Sequence, residues 1–199
     1  MAIREIANVP NLLTISRIFL TPLFLAMLFA DTWYWRSMAC VVFALASVTD
    51  FYDGRMARSN NRVTNFGRFM DPLADKILVT SALIALVLGR IVHYWLVLPI
   101  VVRDIVITGM RLYGVYHGRQ METSRLAKWK TFVQLLAVVI ILFAIGLQEV
   151  FGRFEWDHLL PLEESLVPTL SNGLMGAVLL LTLASGFHYF IRTGYSVRS

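Results

Sequence analysis

Cysteine is nearly absent: Cys40 is the one cysteine in 199 residues, and it sits inside an apolar run. No disulfide framework and no thiolate metal site is therefore available. Charge is also scarce. Asp, Glu, Lys and Arg make up 16% of the chain against 57% hydrophobic residues, and mean hydropathy is +0.65. This composition excludes an ordinary soluble domain. Neither an internal repeat nor a low-complexity segment is present, which removes solenoids and disordered tracts. The first apolar run begins near Leu12, and no small-residue cleavage site follows it. It reads as a retained helix rather than a signal peptide. Apolar runs are spread over the whole length, which predicts a single domain over residues 1–199.

What is present suits a membrane. About 20 apolar residues span a bilayer as a helix. Six stretches qualify: Asn11–Ala30, Arg36–Arg58, Asp71–Gly89, Tyr94–Tyr116, Lys130–Phe151 and Val167–Ile191. The expected fold is an all-α integral membrane protein of six transmembrane helices. Met1–Val9 is short, mixed in character and followed by Pro10, and is compatible with a short helix lying at the interface. Trp33, Tyr34, Trp35, Tyr94, Trp95 and Trp129 fall near the expected helix ends, where aromatic side chains anchor at the interface.

The net charge of +5 reflects membrane topology rather than nucleic-acid binding, because the cations gather between apolar runs. Arg55, Arg58, Arg62 and Arg68 crowd the second connection, and Arg119, Arg125, Lys128 and Lys130 the fourth. Arg4 precedes the first helix, and Arg192 and Arg198 follow the last. The alternate connections hold Arg36, Arg90 and Arg153, and the fifth is acidic, with Glu149, Glu155, Asp157, Glu163 and Glu164. The positive-inside rule then places both termini in the cytoplasm.

Four carboxylates break this apolar background: Asp50, Asp53, Asp71 and Asp75. A carboxylate at a bilayer centre costs roughly 2.5–3.5 kcal/mol, so such residues face a cavity and serve a function. At 100° per residue, Asp50, Asp53, Gly54 and Ala57 share one side of a helix. Asp71 and Asp75 are i,i+4, with Gly67 one turn earlier on the same side. Two helices thus present two carboxylates each to one point, and like charges so placed need a cation between them. Oxygen ligands alone favour Mg²⁺, Mn²⁺ or Ca²⁺ over zinc. Gly54, Ala57 and Gly67 leave room for a bulky substrate at the backbone. Asp is a favoured N-cap and Pro suits a first turn, so the third helix is expected to start near Asp71–Pro72.

The run D-F-Y-D-G-R-M-A-R, eight residues, then G-R-F-M-D-P-L-A-D resembles the motif of the CDP-alcohol phosphatidyltransferase family. That motif is D-x-x-D-G-x-x-A-R, eight residues, G-x-x-x-D-x-x-x-D. Asp50, Asp53, Gly54, Ala57, Arg58, Gly67, Asp71 and Asp75 match it without a gap. An intramembrane salt-bridge cluster with Arg55, Arg58 and Arg68 would account for the charges but not for the interleaved small residues.

A second group lies in the fourth and fifth helices. Arg103, Asp104 and Arg111 interrupt an apolar run, and Asp104 and Arg111, seven apart, share a face. Asp104 neutralises one arginine and leaves at least one cation over. Two readings stand for Arg125, Lys128 and Lys130: snorkelling positive-inside charge, or, with Arg103 and Arg111, a pocket for a phosphate monoester. The segments V-V-R-D-I-V-I-T-G-M-R, T-S-R-L-A-K-W-K-T-F-V-Q and P-N-L-L-T-I-S-R resemble those of the phosphatidylglycerophosphate synthase branch of the family. Relatives often carry Glu in place of Asp104 and Gly in place of Ala127. Thr14 and Arg17 match the family opening, either lining the active-site cavity or packing helices.

The resemblance implies transfer of a phosphatidyl group from CDP-diacylglycerol to sn-glycerol 3-phosphate, releasing CMP. It assigns Asp50, Asp53, Asp71 and Asp75 to a divalent cation, Mg²⁺ or Mn²⁺, and Asp75 to the base. Asp50, Asp53, Gly54, Ala57, Arg58 and Gly67 would bind CDP-diacylglycerol. It further implies a homodimer, in a bacterial inner membrane; the loop charges make the cavity of the aspartate helices face the cytoplasm. Rival acceptors belong to the cardiolipin, phosphatidylserine and phosphatidylinositol-phosphate synthases of the same family. An intramembrane prenyltransferase would usually show two aspartate motifs, and a cation transporter does not explain G-x-x-A-R.

Overall fold

The computed structural model describes the backbone of residues 9–59, 65–117, 125–154 and 165–196, and the side chains of most of them. Six helices make up this part of the chain: α1 Val9–Leu28, α2 Trp33–Ser59, α3 Asn65–Leu88, α4 Tyr94–Tyr116, α5 Arg125–Arg153 and α6 Leu166–Ser196. No strand occurs among the described residues. Each helix overlies one of the six apolar stretches, and α4 coincides with its expected bounds. The segment expected to lie at the interface, Met1–Val9, falls outside the described residues except for Val9, which opens α1.

One expected boundary is corrected. The third helix starts at Asn65, not near Asp71. Phe66, Phe69 and Met70 continue the apolar periodicity upstream, so the helix is extended toward its N-terminus. Pro72 thereby lies inside the helix, and its missing N–H leaves the Arg68 carbonyl without its usual intrahelical donor.

The helices pack as a ring. α1 packs on α2 and α3, α2 on α5, α5 on α6, α6 on α4, and α4 on α3. A lighter α3–α5 contact crosses the ring and divides it in two. The half enclosed by α1, α2, α3 and α5 holds much of a buried apolar core that continues onto α4 and α6. Phe24, Phe43, Leu78, Leu83, Leu86, Val138, Ile141 and Leu142 are buried there. Their spacing along α3 and α5 is that of a single helical stripe. Phe24 and Phe43 meet at a centroid distance of 5.3 Å and a tilt of 49°. Ala39, Ala46, Ala82, Ala85 and Ala137 are also buried, and residues this small let helices approach closely. At the α2–α5 crossing a Cβ on Gly146 would stand 3.5 Å from Ser37 Cα.

Hydroxyls within the apolar stretches are satisfied locally. Thr21 donates to the Arg17 carbonyl at 2.9 Å, Ser47 to Phe43 at 2.8 Å and Thr182 to Val178 at 2.7 Å. Each bond runs back one turn along its own helix. The outer surface is apolar as well. Phe19, Leu88, Leu180 and Phe187, on three different helices, are each about 70% exposed. Leu126–Arg153 and Leu166–Phe187 are long and apolar enough to cross a membrane, and only 28% of each is buried within the protein. Large exposed apolar side chains distributed in this way fit a lipid surrounding.

The end of the ring away from the aspartates is closed by polar contacts. Arg36 on α2 pairs with Glu149 on α5 and donates from Nε to the Ala30 carbonyl at 3.0 Å. Asn172 on α6 accepts from the His93 backbone N–H at 2.9 Å and donates to the Ile91 and Pro168 carbonyls at 3.3 and 2.7 Å. It thereby pins the α3–α4 turn, where Arg90 adopts a left-handed φ of 57°. Asn172→Ala removes all three bonds and should lower stability by about 1–3 kcal/mol, seen as a reduced melting temperature in detergent.

Candidate functional site

The two charged groups expected from sequence lie toward the same end of the ring. α2 carries Asp50, Asp53, Gly54, Ala57 and Arg58 in its last turns, and α3 carries Gly67, Asp71 and Asp75 in its first half. Their side chains lie outside the described residues, as do those of Thr14, Arg111 and Arg125. The backbone places the four aspartates on two helices that both pack against α1. Arg17, on the same helix, is 3% exposed.

Beside them, in the half of the ring enclosed by α3, α4, α5 and α6, is a buried ionic cluster centred on Asp104. Its carboxylate accepts from Lys130 Nζ at 2.5 Å and from Arg103 Nη1 at 3.2 Å, both at Oδ1. Lys76 Nζ lies 3.7 Å from the other oxygen, Oδ2. Three cations on three helices thus share one carboxylate. Lys130 also donates to Gln134 Oε1 at 2.6 Å, one turn along α5. Arg103 reaches across to α6, donating from Nη2 to Ser185 Oγ at 2.9 Å, and Ser185 in turn donates to the Thr182 carbonyl at 3.0 Å. The arginine stem runs alongside Gly186 of α6, where a Cβ would stand in ordinary contact, 3.8 Å from Arg103 Cγ.

Burial makes this arrangement costly. Lys130 and Gln134 are 1% exposed and Asp104 3%. Withdrawing an ion from water costs several kcal/mol even after relaxation, and a pair recovers this only through close geometry and further hydrogen bonds. Among the described residues, Arg103 and Lys130 both draw on Asp104, while Lys76 has a further partner besides it. Two of the cluster's N–H donors, Arg103 Nε and Gln134 Nε2, are buried without an acceptor. Buried donors in need of acceptors suit an anion rich in oxygen, such as a phosphate.

Of the residues expected to hold a phosphate, Arg103 and Lys130 come together at Asp104. Lys128 is exposed, two residues from Lys130 and so on the opposite side of α5. The expectation that Asp104 serves one arginine is too narrow, since it also binds Lys130 and Lys76. Sequence reasoning passed over Lys76, Gln134 and Ser185. Lys76 directly follows Asp75, and Gln134 sits one turn from Lys130, so both had a positional signal. Ser185 had none.

Comparisons with known proteins agree with the motif. A family model described as CDP-alcohol phosphatidyltransferase matches residues 7–184. A Bacillus subtilis (strain 168) protein named CDP-diacylglycerol–glycerol-3-phosphate 3-phosphatidyltransferase is 34% identical over 204 residues, covering 96% of this chain and 98% of its own. A Pseudomonas fluorescens protein of the same name is 42% identical over 142 residues, with coverages of 68% and 72%. One from Rickettsia typhi (strain ATCC VR-144 / Wilmington) is 38% identical over 135 residues, with coverages of 68% and 76%.

The cluster predicts a sign for paired substitutions. Asp104→Leu leaves Lys130 buried without its carboxylate, and breaking such a pair costs about 3–5 kcal/mol. Adding Lys130→Met should restore much of the folded yield by size-exclusion chromatography, although each single substitution lowers it.

Proposed function

The chain belongs to the CDP-alcohol phosphatidyltransferase family, and from that premise we infer its reaction. It is an integral membrane enzyme of phospholipid biosynthesis that transfers a phosphatidyl group from CDP-diacylglycerol to sn-glycerol 3-phosphate. The products are phosphatidylglycerophosphate and CMP. The observation that carries this reading is the similarity to proteins of that activity over nearly the whole chain. The choice of acceptor draws physical support from the cluster at Asp104, where, among the described residues, Arg103 and Lys130 share one buried carboxylate. A neutral alcohol would not need those cations.

In the proposed mechanism, CDP-diacylglycerol lies with its acyl chains in the bilayer and its diphosphate over the α2 aspartates. Gly54, Ala57 and Gly67 give it room, and Arg58 adds a charge beside it. Asp50, Asp53, Asp71 and Asp75 form an all-oxygen donor set divided between two helices, which fits a divalent cation, Mg²⁺ or Mn²⁺. When bound, that cation neutralises the diphosphate and stabilises the leaving phosphate. Arg103 and Lys130, with Arg111 and Arg125, hold the acceptor's phosphate, and Lys128 gathers it from solvent. Asp75 takes the proton from a glycerol hydroxyl, that oxygen attacks the phosphorus bearing the diacylglycerol, and CMP departs. Asp75 and Lys76 are neighbours on α3, so the base and the acceptor cluster are one residue apart in the chain. Positioning and charge supply most of the acceleration in such a transfer.

The proposed setting is the bacterial inner membrane, with six helices across the bilayer, residues 1–199 forming one domain, a homodimer as the working unit, and both termini and the cavity cytoplasmic. The loop charges support this orientation. In a Cys40→Ser background, a cysteine at Asn60 should resist an impermeant thiol reagent added outside intact cells. Labelling there would reverse the orientation.

The purified protein should release CMP from CDP-diacylglycerol only when glycerol 3-phosphate is supplied, out of a panel of alcohols, and exhaustive chelation should abolish turnover. Arg103→Gln should raise the acceptor KM about ten- to a hundredfold, the loss expected for one charge-assisted hydrogen bond, with little change for CDP-diacylglycerol. CMP release with serine or inositol phosphate in place of glycerol 3-phosphate would assign a different acceptor.

A further inference from the structure

Gln134 carries more information than its contact with Lys130. The lysine ammonium has hydrogens to give and no lone pair, so the glutamine must turn Oε1 toward it. The 2.6 Å contact has this sense. The amide group is therefore fixed in one orientation, and Nε2 points away from the lysine. Gln134 is 1% exposed, and Nε2 is buried without a hydrogen-bond acceptor. A buried amide nitrogen with no acceptor is destabilising and calls for an explanation. Leu or Met would fill the position without that cost.

The orientation is set by a chain of contacts. Asp104 anchors Lys130 from α4, Lys130 anchors Oε1, and Nε2 is left as the buried, unpaired end of the amide. Arg103 Nε is the cluster's other buried donor without an acceptor. It is charged and lies beside Gly186 of α6, whereas the Gln134 donor is neutral and comes from α5.

We propose that Gln134 is a specificity-determining residue of the acceptor site, donating from Nε2 to a phosphate oxygen of the acceptor. The proposal rests on the reading of the Asp104 cluster as the acceptor's phosphate pocket. A neutral amide adds a directional donor without adding charge, so it selects for the position of the oxygens as well as for the anion.

Two variants isolate the donor. Gln134→Glu keeps an oxygen for Lys130 and removes the donor, while Gln134→Met removes both and adds no charge. With full-length protein in detergent, both should raise the KM for glycerol 3-phosphate about tenfold or more, leaving kcat and the KM for CDP-diacylglycerol within about twofold. Melting temperatures identify any variant whose fold is disturbed. A rise in Gln134→Met alone would mean that the glutamine only holds Lys130, and a rise in Gln134→Glu alone would be a charge effect. Either result overturns the proposal. Arg103→Gln, assayed alongside, separates the two levels. If it raises the acceptor KM while both Gln134 variants match the parent, the pocket stands and the Gln134 donor falls. If all three match the parent, the pocket falls with it.

Discussion

One carboxylate, Asp104, organises the polar half of this protein. It is 3% exposed and binds cations from α3, α4 and α5. Such burial is tolerable only when each ion has close partners, because desolvation otherwise exceeds the Coulomb gain. The partners therefore fix geometry as well as charge. Lys130 has to reach α4, Arg103 has to lie along Gly186 toward Ser185, and α5 must take the rotation that buries Gln134 beside them. The ring closes around this cluster on one side and around an apolar core on the other.

That division separates two physical tasks. In the apolar half, Phe24, Phe43 and the stripe on α5 pack with buried alanines, and the hydroxyls bond within their own helices. In the polar half, two buried donors of the described residues, Arg103 Nε and Gln134 Nε2, lack an acceptor. The far end, with the Arg36–Glu149 pair and Asn172, ties the helix connections.

The helices were legible in the sequence because lipid demands long apolar runs, and α4 could be read to the residue. The start of α3 was not, since Asp71–Pro72 carries a strong local start signal that the apolar residues upstream override. In the site, the aspartate spacing and the arginines of α4 were visible as charges in apolar surroundings. The role of Asp104 as a three-way junction was not, because Lys76 and Lys130 are distant in sequence and meet only through packing. Gln134 was hidden for another reason. Its place one turn from Lys130 was visible, but its meaning comes from the orientation that a buried lysine imposes.

The central place of α1 bears on how the protein is made. α1 packs against both α2 and α3, and a growing chain makes it ahead of both. The two aspartate-bearing helices therefore arrive against a surface already in position, so the separation between the halves of the motif can be set while the rest of the chain is still being synthesised. Arg103 and Asp104 then enter together on one helix, and Lys130 follows to a carboxylate already in place. The order of the helices in the gene thus lets Lys130, the most deeply buried of the cations around Asp104, enter the bilayer beside its counter-ion.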